Sequence, residues 1–196
     1  MNKTDKKIKP VKTVKAKVEK KVNLKQNIRR IPEFKGVVFW DITTLLKDPA
    51  LFKEVINQLA DHYRGKKIDV IVSNEARGFL IGAPLAIELG VGFVPIRKKG
   101  KLPYKCLDYT YKTEYSTDSI QIHEDAITKG QNVLIIDDLL ATGGTVKANM
   151  DMVEKLGGKV VGTGFLIELE YLSGRKALGN KCEVFALVNY KTPTDV

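Results

Sequence analysis

An open, mainly parallel twisted sheet flanked by helices is the fold that three features of this sequence predict. Short β-branched runs alternate with longer segments of helical period, the order expected of a parallel α/β domain. The run Val133-Leu134-Ile135-Ile136 is apolar on both faces and follows Gly130, so it belongs in the middle of a sheet covered on each side. Polar and small residues, Asp137 to Thr145, follow it at once. In such sheets ligands collect at the carboxyl ends of the strands, where loops meet helix N-termini.

In chain order, residues 22–30 are expected to form a short helix ended near Pro32. Leu51, Val55, Leu59 and Tyr63 make an i, i+4 stripe behind Asp48-Pro49, a good helix start. Residues 68–72 read as a buried strand, 78–89 as a small-residue helix packed on it, and 93–96 as a further strand. Residues 98–113 are polar and aperiodic, with Gly100 and Pro103, and read as a long mobile loop of the kind that serves as a lid. Residues 119–123 and the Val133 run are strands. Val146, Met150, Val153 and Leu156 mark a helix, and strands near 160–166 and 184–188 complete the pattern.

A chain of 196 residues with 43% hydrophobic content can bury one sizeable core. One catalytic domain is expected over residues 26–196. The formal charge of +10 is unevenly placed: residues 1–25 hold ten lysines against two acids, which leaves the remainder nearly neutral. This Lys-rich tail, without aromatics, is expected to be disordered. A salt-dependent polyanion or membrane-surface contact is its alternative role, and an organellar transit peptide fits less well because arginine is absent from it. No apolar run is long enough to cross a bilayer and no signal-peptide core is present, so a cytoplasmic protein is expected. Cys106 and Cys182 form no C-x-x-C pair and suit a reducing compartment better than a disulfide or a metal site.

The segment after the central strand carries the chemistry. Gly143 and Gly144 permit positive φ and close backbone approach, while the Thr142 and Thr145 hydroxyls can reach phosphate oxygens. Asp137 and Asp138 suit hydroxyl recognition and the stabilisation of nearby positive charge. Acids placed for the helix dipole and glycines placed for turning are the plain alternative. No G-x-x-x-x-G-K-[ST] or G-x-G-x-x-G pattern competes.

The string Val133 to Thr145 resembles the phosphoribosyl diphosphate signature of type I phosphoribosyltransferases. That resemblance implies the family's fold, with an N-terminal hood and a flexible lid loop. It implies that Asp137 and Asp138 bind ribose hydroxyls and that Ala141, Thr142, Gly143, Gly144 and Thr145 cradle the 5-phosphate. Three further segments resemble the adenine phosphoribosyltransferases, and the likeness covers nearly all of residues 26–190. Glu75-Ala76-Arg77 would bind the diphosphate leaving group at a helix start, with Arg77 also near the base. An ion pair from Arg77 to Glu75 is the plain alternative. Lys98 and Lys101 would contact diphosphate at the entry to the lid, and Glu114 would assist proton transfer at the purine. Residues 31–43 resemble the hood within 26–45, where Phe39 would stack on the base and backbone groups around Val38 would read it. Core packing is the alternative for Phe39. Trp40 departs from the family pattern, which commonly has arginine there, and would add stacking area. Ser73-Asn74 departs from the usual glycine-containing approach to the diphosphate turn.

The function so implied is phosphoribosyl transfer from 5-phosphoribosyl 1-diphosphate to adenine, giving AMP and diphosphate. Magnesium would arrive on the donor with no protein metal site, and a homodimer is expected. A transferase for another base, or a ligand-sensing nucleic-acid-binding regulator, are the alternatives. The regulator needs a recognition domain that 25 lysine-rich residues cannot supply, so a nucleic-acid partner is not expected. His62 and His123 need no role, and His62 is expected to be exposed.

Overall fold

The computed structural model describes residues 22–112 and 117–195. Residues 25–27 make a single 3-10 turn, and the chain then enters a two-stranded antiparallel ribbon, β1 (Arg29–Phe34) and β2 (Val37–Asp41). The helix expected over residues 22–30 is therefore replaced by this turn and the first strand. Pro32 ends no helix. It sits in a ribbon with free edges, where a missing N–H costs little, and the register shifts between Ile31 and Phe34.

Helices α1 (Thr43–Leu46) and α2 (Pro49–Tyr63) follow. The Asp48 side chain accepts from the Ala50 and Leu51 amides and Pro49 occupies the first turn, so α2 starts where its sequence predicts. Its stripe buries Val55, Leu59 and Tyr63. Next come β3 (Val70–Asn74), α3 (Arg77–Leu89) and β4 (Gly92–Lys98), then the hairpin β5 (Cys106–Lys112) and β6 (Thr117–His123). The middle one of the five parallel strands is β7 (Asn132–Leu140). It is followed by α4 (Gly144–Lys155), β8 (Lys159–Leu169), α5 (Gly174–Leu178) and β9 (Glu183–Tyr190).

Seven strands form one sheet in the order β5-β6-β4-β3-β7-β8-β9. Strands β4, β3, β7, β8 and β9 run parallel, and the β5–β6 hairpin joins antiparallel to β4. Alternation along β7 sorts the core into two layers. Leu134 and Ile136 pack with α2 and α3, while Val133 and Ile135 pack with α4. The chain leaves β3 outwards to β4 but returns on its other side as β7. The crevice between the carboxyl ends of β3 and β7 is thus the switch point of the sheet, where a ligand finds open space.

Candidate active site

Asn74 ends β3 and Asp137 lies across from it on β7. The Asn74 Nδ2 amide donates to Asp137 Oδ2 at 3.2 Å, and the Asp138 amide donates to Asp137 Oδ1 at 2.9 Å. Both carboxylates are buried, and burial is the main force pushing both above the usual carboxylate range. The charge of Asp138 pushes Asp137 up further, whereas Arg77 opposes the rise at Asp138. Arg77 Nε lies 2.9 Å from Asp138 Oδ2, yet that oxygen has no aligned hydrogen bond. Asp137 is accordingly the harder of the two to ionise, and the Arg77 charge stands against Asp138 Oδ2.

The turn beyond β7 opens α4 without a side-chain cap, and Gly144, Thr145 and Val146 at its start line the cleft. Gly143 takes φ +84°, whereas Gly144 has no positive φ. Thr145 Oγ1 lies 3.1 Å from the Tyr111 hydroxyl. A brace from α5 holds this turn from behind: a Cβ on Gly174 would sit 2.3 Å from the Ala141 carbonyl, and one on Gly143 would sit 2.6 Å from the Gly174 carbonyl. Helix-start amides and two hydroxyls are a donor set that suits an oxyanion.

The facing wall is Glu75-Ala76-Arg77, with a cis peptide between Glu75 and Ala76. Glu75 accepts from Arg97 Nε at 3.0 Å and from the Lys98 amide at 3.3 Å, and it pairs with Lys101 Nζ. Lys101 above all, then Arg97, holds its carboxyl below the ordinary glutamate value. The cleft between the walls has a volume of about 300 Å3 and brings together residues 75–77, Lys98, Asp137, Asp138 and 141–145. One small molecule with anionic groups at both ends and hydroxyls in the middle matches that arrangement.

Residues 41–186 match the model of the phosphoribosyl transferase domain. The adenine phosphoribosyltransferase of Desulfosudis oleivorans is 53% identical over 172 residues, covering 87% of this chain and 99% of that protein. This chain belongs to the adenine phosphoribosyltransferase family. The Solibacter usitatus member is 54% identical over 86% of this chain and 98% of its own length. The crystal structure of the Thermoanaerobacter pseudethanolicus enzyme superposes with a TM-score of 0.82 at 52% identity, covering 85% of this chain and 98% of that one. The Saccharomyces cerevisiae enzyme, solved with adenine and an imino-altritol bisphosphate, gives 0.78 at 42% identity, covering 84% of this chain and 96% of its own.

Against the expectations for an adenine phosphoribosyltransferase, several side chains stand elsewhere. Arg77 pairs with Asp138 and not with Glu75, because Glu75 is already taken by Arg97 and Lys101. Lys101 thus rests on a carboxylate instead of reaching into the cleft. In the hood, Phe39 lies with its ring centroid 5.1 Å from the Arg77 guanidinium carbon. Val38 is half-buried against the core. Trp40 faces away, 4% exposed and stacked on Tyr190, so it adds no stacking area to the cleft. Glu114 lies outside the described residues, as do residues 1–21.

The stretch 98–113 is a loop only in its first half. Residues 99–105 are irregular, but Cys106–Lys112 is β5, with Leu107, Tyr109 and Tyr111 packed towards the α4 core. Tyr109 donates to Asp151 Oδ2 at 2.6 Å, which fastens the arm to α4. The period-2 alternation of Leu107, Tyr109 and Tyr111 with Asp108, Thr110 and Lys112 is the signal that marks it as a strand. His62 is half-buried and stacks flat on Phe185 at 3.6 Å, contrary to the exposure expected of it. Asn74, Tyr111 and Gly174 are the site residues that the sequence pattern missed.

Proposed function

We propose that this chain transfers the phosphoribosyl group of 5-phosphoribosyl 1-diphosphate to adenine, releasing AMP and diphosphate in purine salvage. The observation that carries this reading is the shared cleft of the α4 anion turn, the buried acid pair and Arg77. The Trypanosoma brucei relative, solved with AMP, pyrophosphate and ribose-5-phosphate, superposes with a TM-score of 0.78 at 25% identity and covers 85% of this chain.

In this reading the amides of residues 141–145 and the Thr142 and Thr145 hydroxyls hold the 5-phosphate. Asp137 and Asp138 accept from the ribose hydroxyls and face the anomeric carbon. As the bond from that carbon to diphosphate breaks, positive charge spreads over the sugar and the acid pair stabilises it. Arg77, the Ala76 backbone, Lys98 and Lys101 receive the leaving diphosphate. Glu75 is the counter-ion that Lys101 leaves in doing so. Adenine bonds through a ring nitrogen and gives up that nitrogen's proton, for which Glu114 is the acid–base group. Phe39 and the Val38 backbone are its wall, and catalysis rests on positioning more than on any nucleophile.

Magnesium fits this site as an ion carried by the donor. No cluster of three His, Cys, Asp or Glu side chains among the described residues could hold it alone, and the buried Asp137 and Asp138 carboxylates are the oxygen groups that would face it from the floor of the cleft. When bound it neutralises charge on the diphosphate. The working form in this reading is a homodimer, supported by Leu80 and Ile87, which stand exposed two turns apart on α3. A cytoplasmic location is supported by free Cys106 and Cys182. No helix among the described residues is long and apolar enough to cross a membrane.

Steady-state assays with adenine, hypoxanthine, guanine and orotate, each with donor and magnesium, test the reading. The kcat/KM for adenine should exceed the others by at least about 100-fold. Equal rates with any second base would overturn the substrate assignment.

A further inference from the structure

The hood and the C-terminal segment are joined by contacts that the transfer chemistry does not call for. Trp40 of β2 and Tyr190, the last residue of β9, stack face to face with ring centroids 3.6 Å apart and planes 16° from parallel. Arg30, opposite Trp40 in the ribbon register, donates from Nε to the Pro193 carbonyl at 2.8 Å. Lys25 Nζ lies 2.7 Å from Asp195 Oδ1 and 5.0 Å from the Tyr190 ring centroid. The Lys191 amide donates to Asp195 Oδ2 at 3.0 Å and folds the segment back on itself.

Both stacked residues are buried, and among the described residues neither the Trp40 indole N–H nor the Tyr190 hydroxyl has a hydrogen-bond partner. Buried indoles and phenols usually find one. What these two residues share is therefore ring surface alone. Neighbouring residues of a strand point to opposite faces. With Trp40 seated on Tyr190, Phe39 is turned to the other side, where the Arg77 guanidinium lies over it.

We propose that Tyr190 is a positioning residue for the purine: its ring sets the depth of Trp40, and through β2 that depth places Phe39 as the wall of the base subsite. The proposal rests on the assignment of Phe39 to the base given above. A loss of the stack would let Trp40 sink and draw Phe39 off its position, while the donor's phosphate and hydroxyl contacts, on β7 and α4, stay in place.

Steady-state kinetics of the full chain carrying Tyr190→Leu, Tyr190→Phe or Phe39→Ala test this. Leucine keeps bulk but loses the flat ring, so KM for adenine should rise about tenfold while kcat and KM for the donor stay within about twofold. Tyr190→Phe should match the parent, since the hydroxyl it removes has no partner among the described residues. A loss spread equally over both substrates in Tyr190→Leu, or a defect in Tyr190→Phe, would overturn the proposal. So would a normal adenine KM in Tyr190→Leu where Phe39→Ala raises it. A normal adenine KM in Phe39→Ala would instead overturn the assignment of Phe39. If Tyr190→Leu does not fold, Arg30→Gln removes the Pro193 tie from the exposed side. It should raise KM for adenine alone by about threefold, and no rise there also overturns the proposal.

Discussion

Arg77 Nε sits 2.9 Å from Asp138 Oδ2, so a cation on the wall that would receive diphosphate reaches across to the acid pair on the floor of the cleft. The two walls of the site are electrostatically joined before any ligand enters. In the proposed reaction, donor binding would set ribose hydroxyls and leaving group in competition for these charges.

Replacing Asp137 and Asp138 together by Asn should lower kcat/KM by about 100-fold or more, through loss of charge at the developing cation. Folding should survive. Burial raises both carboxyls, so the folded state holds protons that the unfolded state gives up. Their cost to stability is absent below the ordinary carboxylate range and grows as pH rises through it towards the raised folded values. Thermal unfolding should therefore show Asp137→Asn at least as stable as the parent at pH 7, with that advantage gone by about pH 4. A variant that is inactive only because it is unfolded at pH 7 would contradict this.

Glu75→Gln should tighten the binding of inorganic diphosphate. Glu75 neutralises Lys101 and Arg97 at the mouth of the cleft, and without its charge both cations face the ligand unopposed. Isothermal titration should show a Kd lower by about fivefold at low ionic strength, with the difference shrinking as salt is added. Weaker binding would mean that Glu75 itself organises the diphosphate turn.

Gly174→Ala should damage the phosphate cradle from outside the cleft. Its Cβ would sit 2.3 Å from the Ala141 carbonyl, and the clash should cost about 1–3 kcal/mol of stability and weaken ribose 5-phosphate binding. Gly144→Ala is the contrast, because a Cβ there meets nothing within 4 Å and the residue has no positive φ. Denaturant melts of the two variants should differ in midpoint, with Gly144→Ala close to the parent.

Alkaline stability should depend on Tyr190, whose hydroxyl is pushed up to about 12 by burial and by the charge of Asp195. The folded state then keeps a proton that the unfolded chain gives up near pH 10. The contribution of Tyr190 is present below pH 10 and is lost as pH rises through 10 towards about 12. Tyr190→Phe should lose less stability than the parent between about pH 9 and 11 in guanidinium unfolding.

The parts of the site that lie close together along the chain were legible in the sequence. Strand β7, its two acids, the glycine turn and the start of α4 follow one another without interruption, so their chemistry and their place at a strand end are covalently linked. The turn after β3 that forms the facing wall is readable for the same reason. Contacts between distant residues were not. The sequence does not say that Trp40 spends its ring on Tyr190, 150 residues away, or that Glu75 is claimed by Lys101 before Arg77 can reach it. The β5 strand was hidden by its polar outward face, which made a half-buried hairpin look like irregular chain. Gly174 carries no chemical group at all, and only the close approach of α5 to the turn gives it a part.

Trp40 is the only tryptophan in the chain. Because its indole lies flat against Tyr190 at the root of the hood, the molecule carries an optical reporter at the joint between its first strands and its last. Excitation selective for indole will follow the seating of the hood alone, without a label and without signal from the catalytic core.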